Sequence, residues 1–222
     1  MKYPTVIIIT LFFWYTAFNA SAQRKWDDKY YGELTNEDFR SFKLFNNSIN
    51  IDKIDYKVLN AVLFFVSNEA RISRGLTQVD YQPNLEIMAW NHSIAMGERD
   101  FFDHVNSKDK KRKTPKERAE LAAITNPTVS ENISAIGGLK FDSYLALAEH
   151  IINGWINSPP HAKNLFSEKA LQLGCGAYYY LGVWQGNKDI KKQGDGFWIS
   201  TQNFQSFTNV VGGQSKDKGP KG

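Results

Sequence analysis

Apolar positions along this chain change period part of the way through it. From Tyr56 onward, Leu59, Val62, Leu63, Val66 and Ala70 recur at helical spacing. Ala61, Phe64 and Phe65 fill the other faces, so the pattern predicts a central, buried helix that stops at Gly75. A second helix is predicted over Leu85 to Arg99, with Leu85, Met88, Ala89, His92, Ala95 and Met96 along one face. Thr114, Pro115 and Glu117 have the spacing of a capping box with proline in the first helical turn, so a third helix opens there. A fourth is predicted from Ser143 to Asn157, with Leu145, Ala148, Ile152 and Trp155 inward and Pro159 and Pro160 ending it. The pattern then changes. Leu171 to Tyr180 and Gly196 to Phe204 are rich in Tyr, Trp, Ile and Phe and read as strands, with a polar turn over 185–196 between them. Asn132 to Ile136 reads as a short third strand. Helices first and strands later predict an α+β fold with helices layered on a sheet.

The ends of the chain read differently. Residues 1–22 carry a charge only at Lys2, an apolar centre from Val6 to Tyr15 and a small-residue end at Ala20-Ser21-Ala22. That is the layout of a signal peptide, with an uncleaved membrane anchor as the alternative, so the chain is expected to be exported and, after cleavage, to keep no stable transmembrane segment. Residues 23–55 are polar and mixed, and are expected to form an N-terminal extension that clasps the main domain. Thr35 would cap a short helix, and Phe39, Phe42 and Phe45 would pack on the domain. The main domain is placed at 56–206, and a flexible, Gly/Ser/Lys-rich C-terminal tail at 207–222.

Composition narrows the chemistry. The 222 residues include one cysteine, Cys175, so an intrachain disulfide, an all-cysteine zinc site and CxxC redox chemistry are excluded. Cys175 lies in an apolar strand and is expected to be a small buried residue. The formal net charge of +4 is too small to argue for nucleic acid. Residues 108–113, Lys-Asp-Lys-Lys-Arg-Lys, form the strongest cationic run. That run reads as a solvated loop or as a contact for an anionic phospholipid or polymer surface. It has no interleaved aromatics, which argues against a nucleic-acid groove.

The sequence contains no phosphate loop, no GxSxG and no HExxH. Of the four histidines, His150 falls on the wetter side of its helix and His92 on an apolar stripe. His104 and His161 each follow a helix at the mouth of a loop, where sites are assembled. Glu131, in Ser130-Glu131-Asn132-Ile133, is either a surface residue or an inward-facing carboxylate.

Taken in order, several segments resemble the CAP superfamily in its bacterial branch, the SCP-like or cysteine-rich secretory, antigen 5 and pathogenesis-related domains. They are Asn91 to Met96, Phe101-Phe102-Asp103-His104, Thr114-Pro115 with Arg118, Ser130 to Ile133, Trp155 to Leu165, Leu173 to Gly176 and Trp198 to Phe204. The resemblance runs from about Tyr56 to Ser206. It implies a three-layer α-β-α sandwich with a central, mostly antiparallel sheet. It also implies a cleft lined by two histidines and acidic residues, which here correspond to His104, His161 and Glu131. The position of the second glutamate of eukaryotic members is Ser158, and Pro160 stands where glycine is usual. His92 and Gln202 are further candidates for the cleft.

Two imidazoles and a carboxylate could form an open zinc site with water in the fourth position. The alternative is a hydrogen-bonded cluster in which Glu131 orients a histidine. The first functional expectation is therefore an exported, non-enzymatic protein that binds an envelope or extracellular lipid, glycan or protein, with no cofactor required and a divalent metal (zinc) as an option. The alternative is a zinc-dependent hydrolase of peptide or wall material, with Glu131 as ligand or general base.

Overall fold

The computed structural model describes residues 25–125, 127–184, 196–207 and 213–221. The segment expected to be a signal peptide and most of the polar turn between the last two strands lie outside these residues. Six α-helices and four strands follow in the order α1 (Tyr30–Glu33), α2 (Tyr56–Ile72), β1 (Asp80–Tyr81), α3 (Pro83–Glu98), α4 (Pro115–Leu121), β2 (Val129–Gly137), α5 (Tyr144–Ile156), α6 (Pro159–Leu165), β3 (Gln172–Tyr180) and β4 (Phe197–Gln205). The sheet order is β1-β3-β4-β2. Only β1 and β3 run parallel; β3 with β4 and β4 with β2 are antiparallel.

The sheet is buried on both faces, which gives the α-β-α layering. On one face α2 and α5 pack against Leu173, Cys175, Ala177, Trp198 and Phe204. On the other, α3 and α4 enclose two smaller clusters, one around Met96, Ile133 and Ile199 and one around Leu85, Met88 and Ala119. Helix α3 lies almost on the backbone of β3. A Cβ at Gly174 would fall 2.1 Å from the Glu86 nitrogen, and one at Gly176 would fall 2.1 Å from the Trp90 nitrogen. Both positions therefore need glycine for close approach. Cys175, between them, points to the opposite face and is buried. Burial pushes its thiol well above the ordinary range, so it is a poor nucleophile.

The capping box expected at Thr114 is present. The Thr114 hydroxyl accepts from Glu117 N–H while the Glu117 carboxylate accepts from Thr114 N–H. Asp55 caps α2 by accepting from Val58 N–H, and Gly75 ends that region at φ +75°. Four expectations change. Helix α5 does end before the prolines, but Pro159 and Pro160 then occupy the first turn of α6, where their missing N–H groups leave no bond unmade. The strand expected over 132–136 extends to nine residues because β4 pairs with it from Val129 to Gly137. Asp38, not Thr35, precedes the 3-10 turn Phe39–Ser41.

The fourth change concerns the tail, expected to be frayed. Residues 216–220 instead lie along α3 and α4. Lys216 N–H donates to the Leu121 carbonyl at 3.0 Å, Asn91 Nδ2 donates to the Lys218 carbonyl at 2.9 Å, and Arg112 Nε donates to Asp217 at 3.1 Å. Pro220 is buried.

The N-terminal extension packs as a clasp. Phe39 and Phe45 are fully buried against Phe65 of α2, Trp26 stacks on Phe45, and Leu145 N–H donates to the Phe45 carbonyl at 2.8 Å.

Candidate functional site

Glu131 lies in β2, opposite Asn203 of β4, and its side chain faces the α3/α4 layer. It is 6% exposed. Burial alone would raise its pKa, but His92, His104 and Arg118 overcome that and hold it down to about 2. At neutral pH His92 cannot supply the opposing charge, because its own burial pulls it down to about 4. The permanent cation is Arg118. Its Nη2 lies 2.9 Å from Glu131 Oε1 and 2.8 Å from Oε2. Helix α4 places it there: Arg118 is one turn beyond Thr114, on the buried side of a helix fixed by its capping box.

The other partners converge from separate elements. His104, in the loop after α3, has Nδ1 2.9 Å from Glu131 Oε1. His92, on α3, has Nε2 3.1 Å from the Asp103 carbonyl and 3.6 Å from Glu131 Oε1. Asn203, with its amide turned so that both ends are satisfied, donates to Glu131 Oε2 at 3.1 Å and accepts from Ala89 N–H at 3.2 Å. Arg118 also donates to the His104 carbonyl at 3.0 Å, which anchors the loop that carries this imidazole. His104 is the member that reaches solvent, with 45% of its side chain exposed. Its hydrogen bond to Glu131 raises its pKa against partial desolvation. With Nδ1–H directed at Glu131, Nε2 carries the lone pair of the neutral ring.

His161 enters from the first turn of α6. Helix α6 is tied to β2 by Asn164 Nδ2, which donates to the Glu131 carbonyl at 3.2 Å, and by Asn132 Nδ2, which donates to the His161 carbonyl at 3.1 Å. His161 is partly exposed; desolvation and the neighbouring His104 both lower its pKa. The two histidines are thus within electrostatic reach of one another, at the edge of the sheet formed by β2.

The second-tier candidates fall elsewhere. Gln202 is fully buried on the α2 side, donating to Ser67 Oγ at 2.7 Å and accepting from Asn132 Nδ2 at 2.9 Å. It is a core hydrogen-bonding residue because strand alternation turns it away from Glu131. Ser158 precedes α6 and makes no side-chain cap. His150 is exposed, as its helical position implies.

The expected zinc set does not fit this arrangement. Both oxygens of Glu131 face the Arg118 guanidinium, which would repel a cation placed beside them. Among the described residues no three His, Cys, Asp or Glu side chains are grouped to hold a metal ion. Glu131 is instead the buried anion behind His104, which favours the hydrogen-bonded cluster. The sequence alone gives neither Arg118 nor Asn203 a role at the site. The available signal for Arg118 was its place on the helix opened by the capping box.

The family comparison agrees with this fold. Residues 65–204 match the CAP model, the cysteine-rich secretory protein family, and the chain belongs to that family. An uncharacterized membrane protein of Bacillus subtilis, YlbC, is 30% identical over 112 residues, which are 50% of this chain and 29% of YlbC. The chain therefore spans less than a third of that relative. An extracellular SCP-domain protein from Bacillus anthracis superposes with a TM-score of 0.51 at 23% identity, covering 71% of this chain and 44% of that one. An outer surface protein from Borrelia burgdorferi superposes with a TM-score of 0.50 at 20% identity, covering 69% of this chain and 96% of that one. These structures are alike in fold. No helix among the described residues is long and apolar enough to cross a membrane.

Proposed function

We propose that this chain is an exported CAP-domain protein that binds an envelope or extracellular ligand, a lipid, glycan or protein, without transforming it. The observation that carries this reading is the Arg118–Glu131 ion pair. A carboxylate held to about 2 is too weak a base to take a proton efficiently at neutral pH, and its lone pairs are already directed at donors. What remains partly exposed is His104, oriented by Glu131 through Nδ1–H, so that Nε2 accepts from a ligand N–H or O–H when the ring is neutral and donates when it is protonated; His161 lies within electrostatic reach of it. That is a recognition device, and export is supported by the signal-like N-terminus.

The test compares the native chain with His104→Ala on immobilised envelope lipids, glycans and surface proteins. A peptide and wall hydrolysis assay is run in parallel, with and without chelator. The expected result is at least tenfold weaker retention by the variant on one ligand class and no turnover by either protein. Turnover that is abolished by both chelator and His104→Ala would overturn the reading.

A further inference from the structure

The docked tail and the 108–113 loop gather positive charge. Residues 108–113 carry five cations and one anion, and residues 213–221 carry three cations and one anion. Together they hold a net +6 on a chain whose total is +4, so the rest of the molecule is net −2. The two segments are brought together by Arg112, which pairs with Asp217 of the tail and with Asp109 of its own loop.

Arginines and lysines divide the work on this face. The arginines build it: Arg112 holds Asp217, Arg99 reaches Asp109 at 3.4 Å, and Arg118 is spent on Glu131. Lys108 also turns inward, with Nζ donating to the Arg99 and Asp100 carbonyls at the end of α3. The nearby acids are likewise engaged: Asp109 and Asp217 by these arginines, Glu117 by its cap, and Glu120 by Lys116 at 4.0 Å. Lys110, Lys111, Lys113, Lys216, Lys218 and Lys221 are all exposed, and none has an ion-pair partner among the described residues.

Such crowding of like charge is unfavourable unless something anionic faces it. We infer that this lysine face, made by the 108–113 loop and the docked tail, binds the surface of a bilayer rich in anionic phospholipid. Lysine ammonium groups act as point charges, suited to a fluid layer of headgroups, whereas forked recognition of one phosphate would call on the arginines already engaged here. A groove for a single-stranded polyanion would also need stacking aromatics, and the two segments contain none. The inference does not depend on the ligand of the His104 mouth.

The experiment uses the full chain and sedimentation with phosphatidylcholine vesicles, with or without 30% phosphatidylglycerol. The neutral vesicles report any contribution from the apolar N-terminus. Each lysine near an anionic surface strengthens binding roughly fivefold. The native chain should therefore prefer the anionic vesicles by at least tenfold at low salt and lose that preference at high salt. K110Q/K111Q/K113Q and K216Q/K218Q/K221Q should each abolish it. K43Q/K140Q/K163Q, which removes the same charge from exposed sites elsewhere, should keep it. Equal binding to the two vesicle types, or equal loss in all three variants, would overturn the inference. So would binding to soluble polyphosphate without preference for anionic vesicles. Each variant's circular dichroism spectrum should match that of the native chain.

Discussion

Glu131, packed against α3, and Glu86, within α3, are both buried carboxylates, and the protein treats them in opposite ways. Glu131 faces a guanidinium and an imidazole, and stays charged. Among the described residues no cation pairs with Glu86. Asn60 Nδ2 donates to its Oε1 at 3.0 Å, and the hydroxyls of Tyr31 and Tyr81 donate to its Oε2 at 3.1 and 2.5 Å. Desolvation dominates there and raises its pKa, with hydrogen bonds from Asn60 and Tyr81 opposing. The difference lies in what each carboxylate connects. Glu131 links the sheet to a histidine at the surface, whereas Glu86 links α2 and α3 to Tyr31 of the N-terminal extension. The first arrangement orients a partly exposed imidazole; the second ties the N-terminal extension to the helices.

The largest expected effect breaks the charged member. Arg118→Met leaves Glu131 buried without its permanent cation, and should cost about 3–5 kcal/mol in urea unfolding at pH 7. The double variant R118M/E131Q should recover a good part of that loss, because no unpaired charge remains. A loss under about 1 kcal/mol for Arg118→Met would show that Glu131 does not depend on the ion pair and would remove the contrast with Glu86.

How much of this contrast could be read from the sequence depends on the kind of contact. Local chemistry was legible: the Thr114–Glu117 capping box, the inward stripe of α2 and the two strands containing Cys175 and Trp198. The histidine pair and Glu131 were reached through the order of motifs. Their partners were not, because Glu131 meets Asn203 through strand register and Arg118 through the docking of a short helix. Neither leaves a periodic signal. Glu86 was invisible for the same reason: its partners lie 5, 26 and 55 residues away in sequence. Strand β1 was missed because two residues carry no alternation, and α6 because a Pro-Pro pair can both follow one helix and begin another.

The pH dependence sharpens the comparison next. His92 titrates at about 4 in the folded chain against an ordinary value near 6.5, so the unfolded chain binds its proton first as pH falls. Stability should decline from pH 6.5 to 4, by up to about 3 kcal/mol from this group. Glu131 should extend the decline from about pH 4.3 toward 2, because its folded pKa is also depressed. Glu86 has the opposite sign: its raised pKa means stability present at low pH and lost as pH rises through its folded value. His92→Asn should therefore flatten the 6.5-to-4 limb of a stability-versus-pH curve. An unchanged limb would remove His92 from the account.

Conservative amide substitution then separates the two carboxylates directly. Glu131→Gln keeps the shape but leaves Arg118 buried with no counter-charge, so it should cost about 3 kcal/mol. Glu86→Gln leaves no charge unpaired and keeps an oxygen for Asn60 to donate to, so its cost should stay near 1 kcal/mol, and should shrink as pH rises, because the native carboxylate then becomes the costlier group. Equal costs at pH 7 would mean that Glu86 is held as a charged group as firmly as Glu131.

The smallest expected effect lies in the clasp itself. Tyr31 stacks on Tyr81 with ring centroids 3.4 Å apart and also packs on Phe64 and Phe65, so Tyr31→Phe keeps the rings and removes one donor to Glu86. Tyr81 and Asn60 still satisfy that carboxyl group. The loss should be about 1 kcal/mol, the ordinary contribution of one hydrogen bond. It should appear first as faster proteolysis within residues 25–50, where opening releases the extension without unfolding the sheet. A loss of 3 kcal/mol or more would instead mean that Glu86 is charged and relies on every donor it has. That result would make the two carboxylates alike and leave the Arg118 ion pair as the only distinction between a site and a clasp.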